Sequence, residues 1–127
     1  MDPVVLYILA RTDAKSMRES AGLTAAQVAH AANQMVATIS EKFKPLLLEW
    51  ENETKMGFGT TIVLETDGDT MYSRIEYALN NGFHAGIVHD PTFPLFDGDI
   101  LHLVPFDTCA FLLCRKSHKI VDDLPRR

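Results

Sequence analysis

From Val4 to Ala10 every position is apolar or aromatic, and the run ends abruptly in Arg11-Thr12-Asp13. An unbroken apolar stretch of this kind predicts a strand. After a polar loop containing Gly22 the period changes: Val28, Ala32, Met35, Val36, Ile39 and Phe43 recur at helical spacing. Gln27, His30 and Gln34 form a polar stripe beside that face. Thr24 reads as the N-cap and Gln27 completes a capping box, which starts the helix near Ala25. An open helix N-terminus at the end of a strand presents orphan N–H groups and a partial positive charge, which favour a phosphate or carboxylate.

Further along, Pro45 stands at a helix N1 position, and Leu46 to Met56 reads as a second helix closed by Gly57 and seated by Leu46, Leu47 and Trp50. Gly57-Phe58-Gly59 precedes a strand instead of following one, so it reads as a connector and not as a phosphate loop. Thr60 to Glu65 is β-branched and strand-like. Asp67-Gly68-Asp69-Thr70 offers caps to a third helix with Met71, Ile75, Ala78 and Leu79 on its apolar face, stopped by Gly82. His84 to His89 predicts a strand ending at Asp90. The order β-α-α-β-α-β implies parallel pairs with helices on both faces of the sheet. Pro91 to Asp99 reads as a proline-bounded loop with an Asp-Gly turn. Ile100 to Pro105 is then an antiparallel strand, and Cys109 to Cys114 another strand or its continuation. Residues 115–127 read as a polar tail on a single domain spanning 1–127.

Composition narrows the class. A chain of 127 residues with 46% hydrophobic and 23% charged positions suits one globular core. No leader pattern opens it, and no apolar run nears the roughly 20 residues of a membrane helix, so the expectation is a soluble, cytoplasmic protein. Cys109 and Cys114, five apart in a strand, point to opposite faces, and the five histidines are dispersed. Neither a disulfide nor a metal centre is expected, and no cofactor. The net charge of −5 has the wrong sign for gripping a long nucleic-acid backbone. Arg11, Lys15 and Arg18 nonetheless fall together before the first helix, a cluster suited to one or two phosphates.

Two stretches carry a resemblance. Arg11-Thr12-Asp13-Ala14-Lys15, followed by Gly22-Leu23-Thr24-Ala25-Ala26-Gln27-Val28-Ala29-His30-Ala31, resembles the N-terminal signature of the peptidyl-tRNA hydrolase 2 family, R-[TSN]-D-L-K-M-x-x-G-K-[IV]-A-A-Q-x-[AS]-H-A. Val88-His89-Asp90-Pro91-Thr92 resembles its second motif, an acidic residue after a strand and near a threonine. The resemblance implies an α/β fold, three layers α/β/α around a mixed sheet of four to five strands, and cleavage of the ester joining a peptide to tRNA. The sequence departs from the pattern where the chemistry lies. The family's lysine after the loop glycine is Leu23, its D-A-G-[RK]-T-Q turn is shortened to Asp90-Pro91-Thr92-Phe93-Pro94, and the threonine expected after the next glycine is Asp99. Lys15 aligns only loosely with the family's loop.

Polar residues that follow strands or open helices of an α/β sheet fall at the ligand side of such sheets. Arg11 suits anion capture, with Asp13 as a ligand contact or simply its ion-pair partner. Asp90 reads as an acid, a base or an orienting acceptor, or else as turn chemistry before proline. His30 reads as a proton shuttle or as a structural histidine. Phe93, Phe96, Tyr72 and Phe58 read as base-stacking rings or as loop anchors. No serine or cysteine stands beside a motif histidine, so covalent nucleophilic hydrolysis is not supported. Two functions follow. The first is a non-catalytic nucleotide binder using Arg11, Asp13, Lys15, Arg18, Thr24, Gln27, Asp90, Thr92 and Phe93. Phage-encoded relatives of this fold exist, and some phage anti-defence proteins are sponges for cyclic dinucleotide immune signals. The resemblance without its lysine suggests such a sponge, acting as a homo-oligomer, dimer or tetramer, in an infected bacterial host. The alternative is a peptidyl-tRNA hydrolase working with Lys15, His30 and Asp90.

Overall fold

A computed structural model describes residues 2–127. The first strand, β1 (Val4–Arg11), forms as the apolar run predicts, and its period of two sends alternate residues into two cores. Val4, Leu6, Ile8 and Ala10 enter one core, while Val5, Tyr7 and Leu9 enter the other. β1 pairs in parallel with β2 (Thr60–Thr66) and antiparallel with β4 (Ile100–Arg115), which also pairs antiparallel with β3 (His84–Asp97). The sheet order is β2-β1-β4-β3, four strands in all among the described residues. β1, β2 and β3 therefore share a direction, and their carboxyl ends lie on one side.

The helices cover both faces. α1 (Lys15–Glu19), α2 (Ala21–Ala37) and α3 (Lys44–Glu51) follow β1 in the chain, and their Met17, Ala31, Met35, Leu47 and Trp50 fill the first core. α4 (Gly68–Asn80) supplies Met71, Ile75 and Ala78 to the second. The result is the α/β/α arrangement with a mixed sheet that the sequence pattern implies.

Several boundaries move. α2 begins at Ala21, one turn before the expected start, because Ser20 is the N-cap and its Oγ accepts the Leu23 N–H at 3.1 Å. Gly22 and Thr24 are inside the helix. Phe43 leaves the α2 face for a 3-10 turn at Glu41–Phe43. α3 ends at Glu51 and not at Met56, since Asn52 closes its last turn through a bond to the Leu48 carbonyl. α4 is capped as expected by Asp67, whose Oδ1 accepts the Thr70 N–H at 2.8 Å. Its end is a glycine-centred stop: Gly82 takes φ +79, and Phe83 N donates to the Ala78 carbonyl at 3.0 Å. Leu79, expected on the buried face, is exposed.

The largest difference lies between Pro91 and Asp99, where the expected loop is strand. β3 and β4 form one long hairpin closed by the two residues Gly98 and Asp99, with Asp97 opposite Ile100. Gly98 has φ +61 at the first central position, where a II′ turn requires glycine. Prolines fit here because β3 is an edge strand, and a bulge between Asp90 and Phe93 absorbs Pro91. Of the two readings of the C-terminal strands, the structure has the continuation: Ile100 to Pro105 and Cys109 to Cys114 are parts of a single β4. The expected polar tail is ordered: Ile120 and Val121 are buried, and residues 125–127 run along the outer edge of β2. There Glu65 N donates to the Pro125 carbonyl at 2.7 Å and Arg127 N to the Val63 carbonyl at 2.9 Å.

Candidate functional site

At the carboxyl ends of the parallel strands the chain gathers two polar networks. The first is built on Arg11, the last residue of β1. Its Nε and Nη2 donate to the Asp13 carboxylate at 3.1 and 2.9 Å, Nη1 donates to the Asp107 carbonyl at 3.4 Å, and the guanidinium lies 4.5 Å from the centre of the Phe106 ring. Asp13 Oδ2 also accepts the Gly68 N–H at 3.2 Å, so this carboxylate sits on the first amide of α4. The Arg11 bond holds the Asp13 carboxyl below its usual range, with burial opposing. The anion-favouring helix end expected for α2 is thus realised on α4, and the chain fills it with its own carboxylate. A Cβ on Gly68 would lie 2.7 Å from Arg11 Nη2, so the absence of a side chain there is what admits the guanidinium.

Asp107 extends this network. Its Oδ2 accepts the Tyr72 hydroxyl, and its Oδ1 lies 2.8 Å from His89 Nδ1. Burial opposes ionisation of Asp107, but these bonds and the neighbouring charges of His89 and Arg11 outweigh it and lower its pKa.

The second network centres on Asp90. Gln27 Nε2 donates to Asp90 Oδ2 at 2.8 Å, while Gln27 Oε1 accepts the Thr108 hydroxyl at 2.7 Å. Thr92 N donates to Asp90 Oδ1 at 2.9 Å, so the carboxylate also closes a turn on its own strand. Burial again opposes the charge, and the Thr92 and Gln27 bonds, with His30 adding a small Coulombic share, lower the Asp90 pKa. Two irregularities aim these groups. Thr108 is an extra residue of β4 between the pairs Val88–Cys109 and His89–Asp107, and such a bulge turns its side chain toward α2. The compensating bulge in β3 follows Asp90 directly.

The residues singled out in the sequence separate accordingly. Gln27, Asp90 and Thr92 are brought together, and Arg11 and Asp13 form their own pair. Thr24 is not a cap: it is buried, and its hydroxyl donates to the Met17 carbonyl. Arg18 is turned aside, with Nη1 donating to the Thr12 carbonyl at 3.0 Å. Phe93 is 2% exposed and stacks on Phe106 with ring centres 4.9 Å apart, so it is a core anchor and not a free stacking surface. Lys15 has no ion pair among the described residues and borders two recesses between α1 and the β3–β4 hairpin. A slot of about 260 Å³ is lined by Arg11, Asp13, Lys15, Phe93 and Phe106 among others. An adjoining groove of about 530 Å³ has Lys15, Ser20, Leu23, Pro94, Leu95 and Phe96 in its walls. Leu23, at the position of the family's lysine, is therefore a groove residue. His30 is exposed and its ring makes no hydrogen bond among the described residues.

Thr108 and Asp107 were not anticipated, His89 was read only as part of the motif before Asp90, and Tyr72, expected to stack on a base or anchor a loop, instead bonds Asp107. The available signal was Asp107-Thr108, a polar pair at the mouth of the apolar run Cys109 to Cys114. Cys109 and Cys114 themselves are buried thiols pushed up to about 12 by desolvation. Among the described residues no helix is long and apolar enough to cross a membrane, and no three His, Cys, Asp or Glu side chains cluster as metal ligands.

The molecule is a three-layer α/β domain whose polar residues gather at the carboxyl ends of parallel strands, between a helix pair and a hairpin, the side on which sheets of this kind take ligands. Residues 4–94 match the family model Peptidyl-tRNA hydrolase PTH2, and the chain belongs to that family. No curated protein sequence matches it.

Proposed function

We propose that the chain is a nucleotide-holding member of this family that has lost most of its ester-cleaving power. One observation carries the reading: the groove wall has Leu23 where the family has lysine, beside the Lys15 ammonium and the open ring of Phe96. Loss of a charge-stabilising donor of this kind costs on the order of 100-fold or more in rate. What remains suits binding, because one base stacked on an aromatic ring gains roughly 1 to 3 kcal/mol and a single cation answers one phosphate. Arg11 and Arg18 are engaged within the chain, and the net charge is −5, so a small phosphodiester fits better than a tRNA backbone. Within that class the ligand we put first is a cyclic dinucleotide immune signal, sequestered in the cytoplasm of an infected bacterial host.

A second reading, peptidyl-tRNA hydrolysis with Lys15, His30 and Asp90, is favoured by the Thr108–Gln27–Asp90 relay, which holds an ionised carboxylate in one orientation. Two measurements separate them. Calorimetry against a panel of cyclic dinucleotides is expected to give saturable heat with the ligand recovered unchanged, and Phe96→Ala to weaken it about tenfold. The absence of heat with every member removes the sponge reading. Incubation with peptidyl-tRNA is expected to leave the ester intact, and turnover that disappears in Asp90→Ala establishes the second reading instead.

A further inference from the structure

We propose that residues 120–127 form a strap that couples α4 to α1 around the edge of the sheet, and so tunes the groove that α1 walls. The sheet separates these two helices: α4 packs on the face that carries Val5, Tyr7 and Leu9, and α1 on the face that carries Leu6, Ile8 and Ala10. The strap touches both. Ile120 and Val121 are buried in the α4 core, and Leu124 packs against it. Arg74 of α4 fastens this half, with Nη1 and Nη2 donating to the two Asp123 oxygens at 2.6 and 2.9 Å, and Nη1 also donating to the Ile120 carbonyl at 2.8 Å. Arg126 then pairs antiparallel with Leu64 of β2. Leu64 belongs to the α4 core and Val63 packs against the other, so the strand period carries the Arg127 side chain round the edge to the α1 side.

There it meets backbone acceptors that the helix leaves open. α1 has five residues, too few to hold a helix in water unaided. Its Met17 and Arg18 carbonyls receive no backbone N–H among the described residues, because the chain leaves α1 at Ser20 and starts α2. Arg127 Nη2 donates to both, at 3.2 and 3.1 Å, and the Thr24 hydroxyl gives Met17 its second bond. The guanidinium thus serves α1 as a C-terminal cap. Met17 seats α1 in the core, while Lys15, Ser16 and Glu19 form a wall of the groove whose other side is Pro94, Leu95 and Phe96. Freedom in α1 is therefore freedom in the width of that groove. Beyond Val121 the strap is held by few bonds, among them two backbone bonds to β2 and an ion pair whose Asp123 side chain is 63% exposed, so it can open while β1 stays closed between its two cores. One physical element thus joins the two helical layers, and each end biases the other. The consequence for ligand binding rests on the groove reading above, whereas the coupling of α4 to α1 does not.

The test is amide hydrogen exchange of the full chain, without nucleotide, read by NMR at Arg18, Glu19 and Ser20. Its outcome stands whatever the groove binds. Arg127→Ala is expected to speed exchange there by about fivefold or more, since a charged donor leaves two carbonyls. Asp123→Asn and Arg74→Gln, made separately and altering groups that bond nothing in α1, are expected to speed it by about twofold to threefold. Amides of Leu6 to Leu9 should keep their wild-type rates and certify folding; if Arg74→Gln loses that protection, Asp123→Asn decides, because its side chain is exposed. Unchanged exchange in Arg127→Ala overturns the proposal. Acceleration in Arg127→Ala alone overturns it as well, by reducing Arg127 to a local contact, and so does acceleration that Leu6 to Leu9 share in every variant, by assigning the effect to overall stability.

Discussion

Gln27 joins the two sides of the candidate site, because one side-chain amide serves Asp90 with its N–H and Thr108 with its oxygen. Thr108 is fully buried, so Gln27→Ala leaves its hydroxyl without a partner at a cost of about 1 to 3 kcal/mol. The same change removes a bond that favours the charged form of Asp90, whose pKa should rise toward the ordinary 3.8. Urea denaturation reads the first effect and carbon-13 titration of the carboxyl reads the second. A variant with wild-type stability and an unmoved Asp90 would take the relay out of the site. Motif spacing put Gln27 and Asp90 in one pocket, but not Thr108, because its orientation depends on a bulge that leaves no periodic trace. For Arg11 the residue type was informative and its ligand was not. A guanidinium at a strand end does capture a carboxylate, and here that carboxylate is Asp13 from the same chain.

At the scale of elements, the seat of α3 is the most sharply determined contact. Trp50 Nε1 donates to the Thr60 carbonyl at 2.8 Å, and a Cβ on Gly59 would lie 2.4 Å from the indole ring. Gly59→Ala must push the ring from its place, with an expected loss of about 1 to 3 kcal/mol and a shift in Trp50 emission. Equal stability and an unchanged spectrum would show that the seat yields freely. β1, β2 and α4 were legible because each depends on its own period and caps: an apolar run, a β-branched run, Asp67 and Gly82. The hairpin was not, since Pro91, Pro94 and Gly98 signal a loop in any local window. What overrides them is pairing with residues of β4, and prolines on an edge strand cost no ladder bond. α1 was missed for a related reason, as five residues with one buried methionine carry no period.

For the whole molecule, pH is the direct probe of how much the polar centre contributes. Asp13, Asp90 and Asp107 all have pKa values lowered in the folded protein, by the Arg11 bond in the first and, against burial, by hydrogen bonds in the others. The folded state therefore binds fewer protons than the unfolded chain in acid. Their stabilisation is complete above about pH 5 and is lost as pH falls through the folded values. Urea midpoints should be flat near neutrality and drop below about pH 4, with a shallower drop in Asp13→Asn. An equally steep drop in that variant would assign the acid sensitivity elsewhere. The placement of residues 125–127 bears on a different property. Strands exposed along a sheet's flank recruit neighbours, and here the β2 flank from Val63 to Glu65 is already paired with the chain's own last residues. A neighbouring strand finds the Val63 carbonyl and the Glu65 N–H already taken there, so this flank does not seed growth of the sheet into a filament.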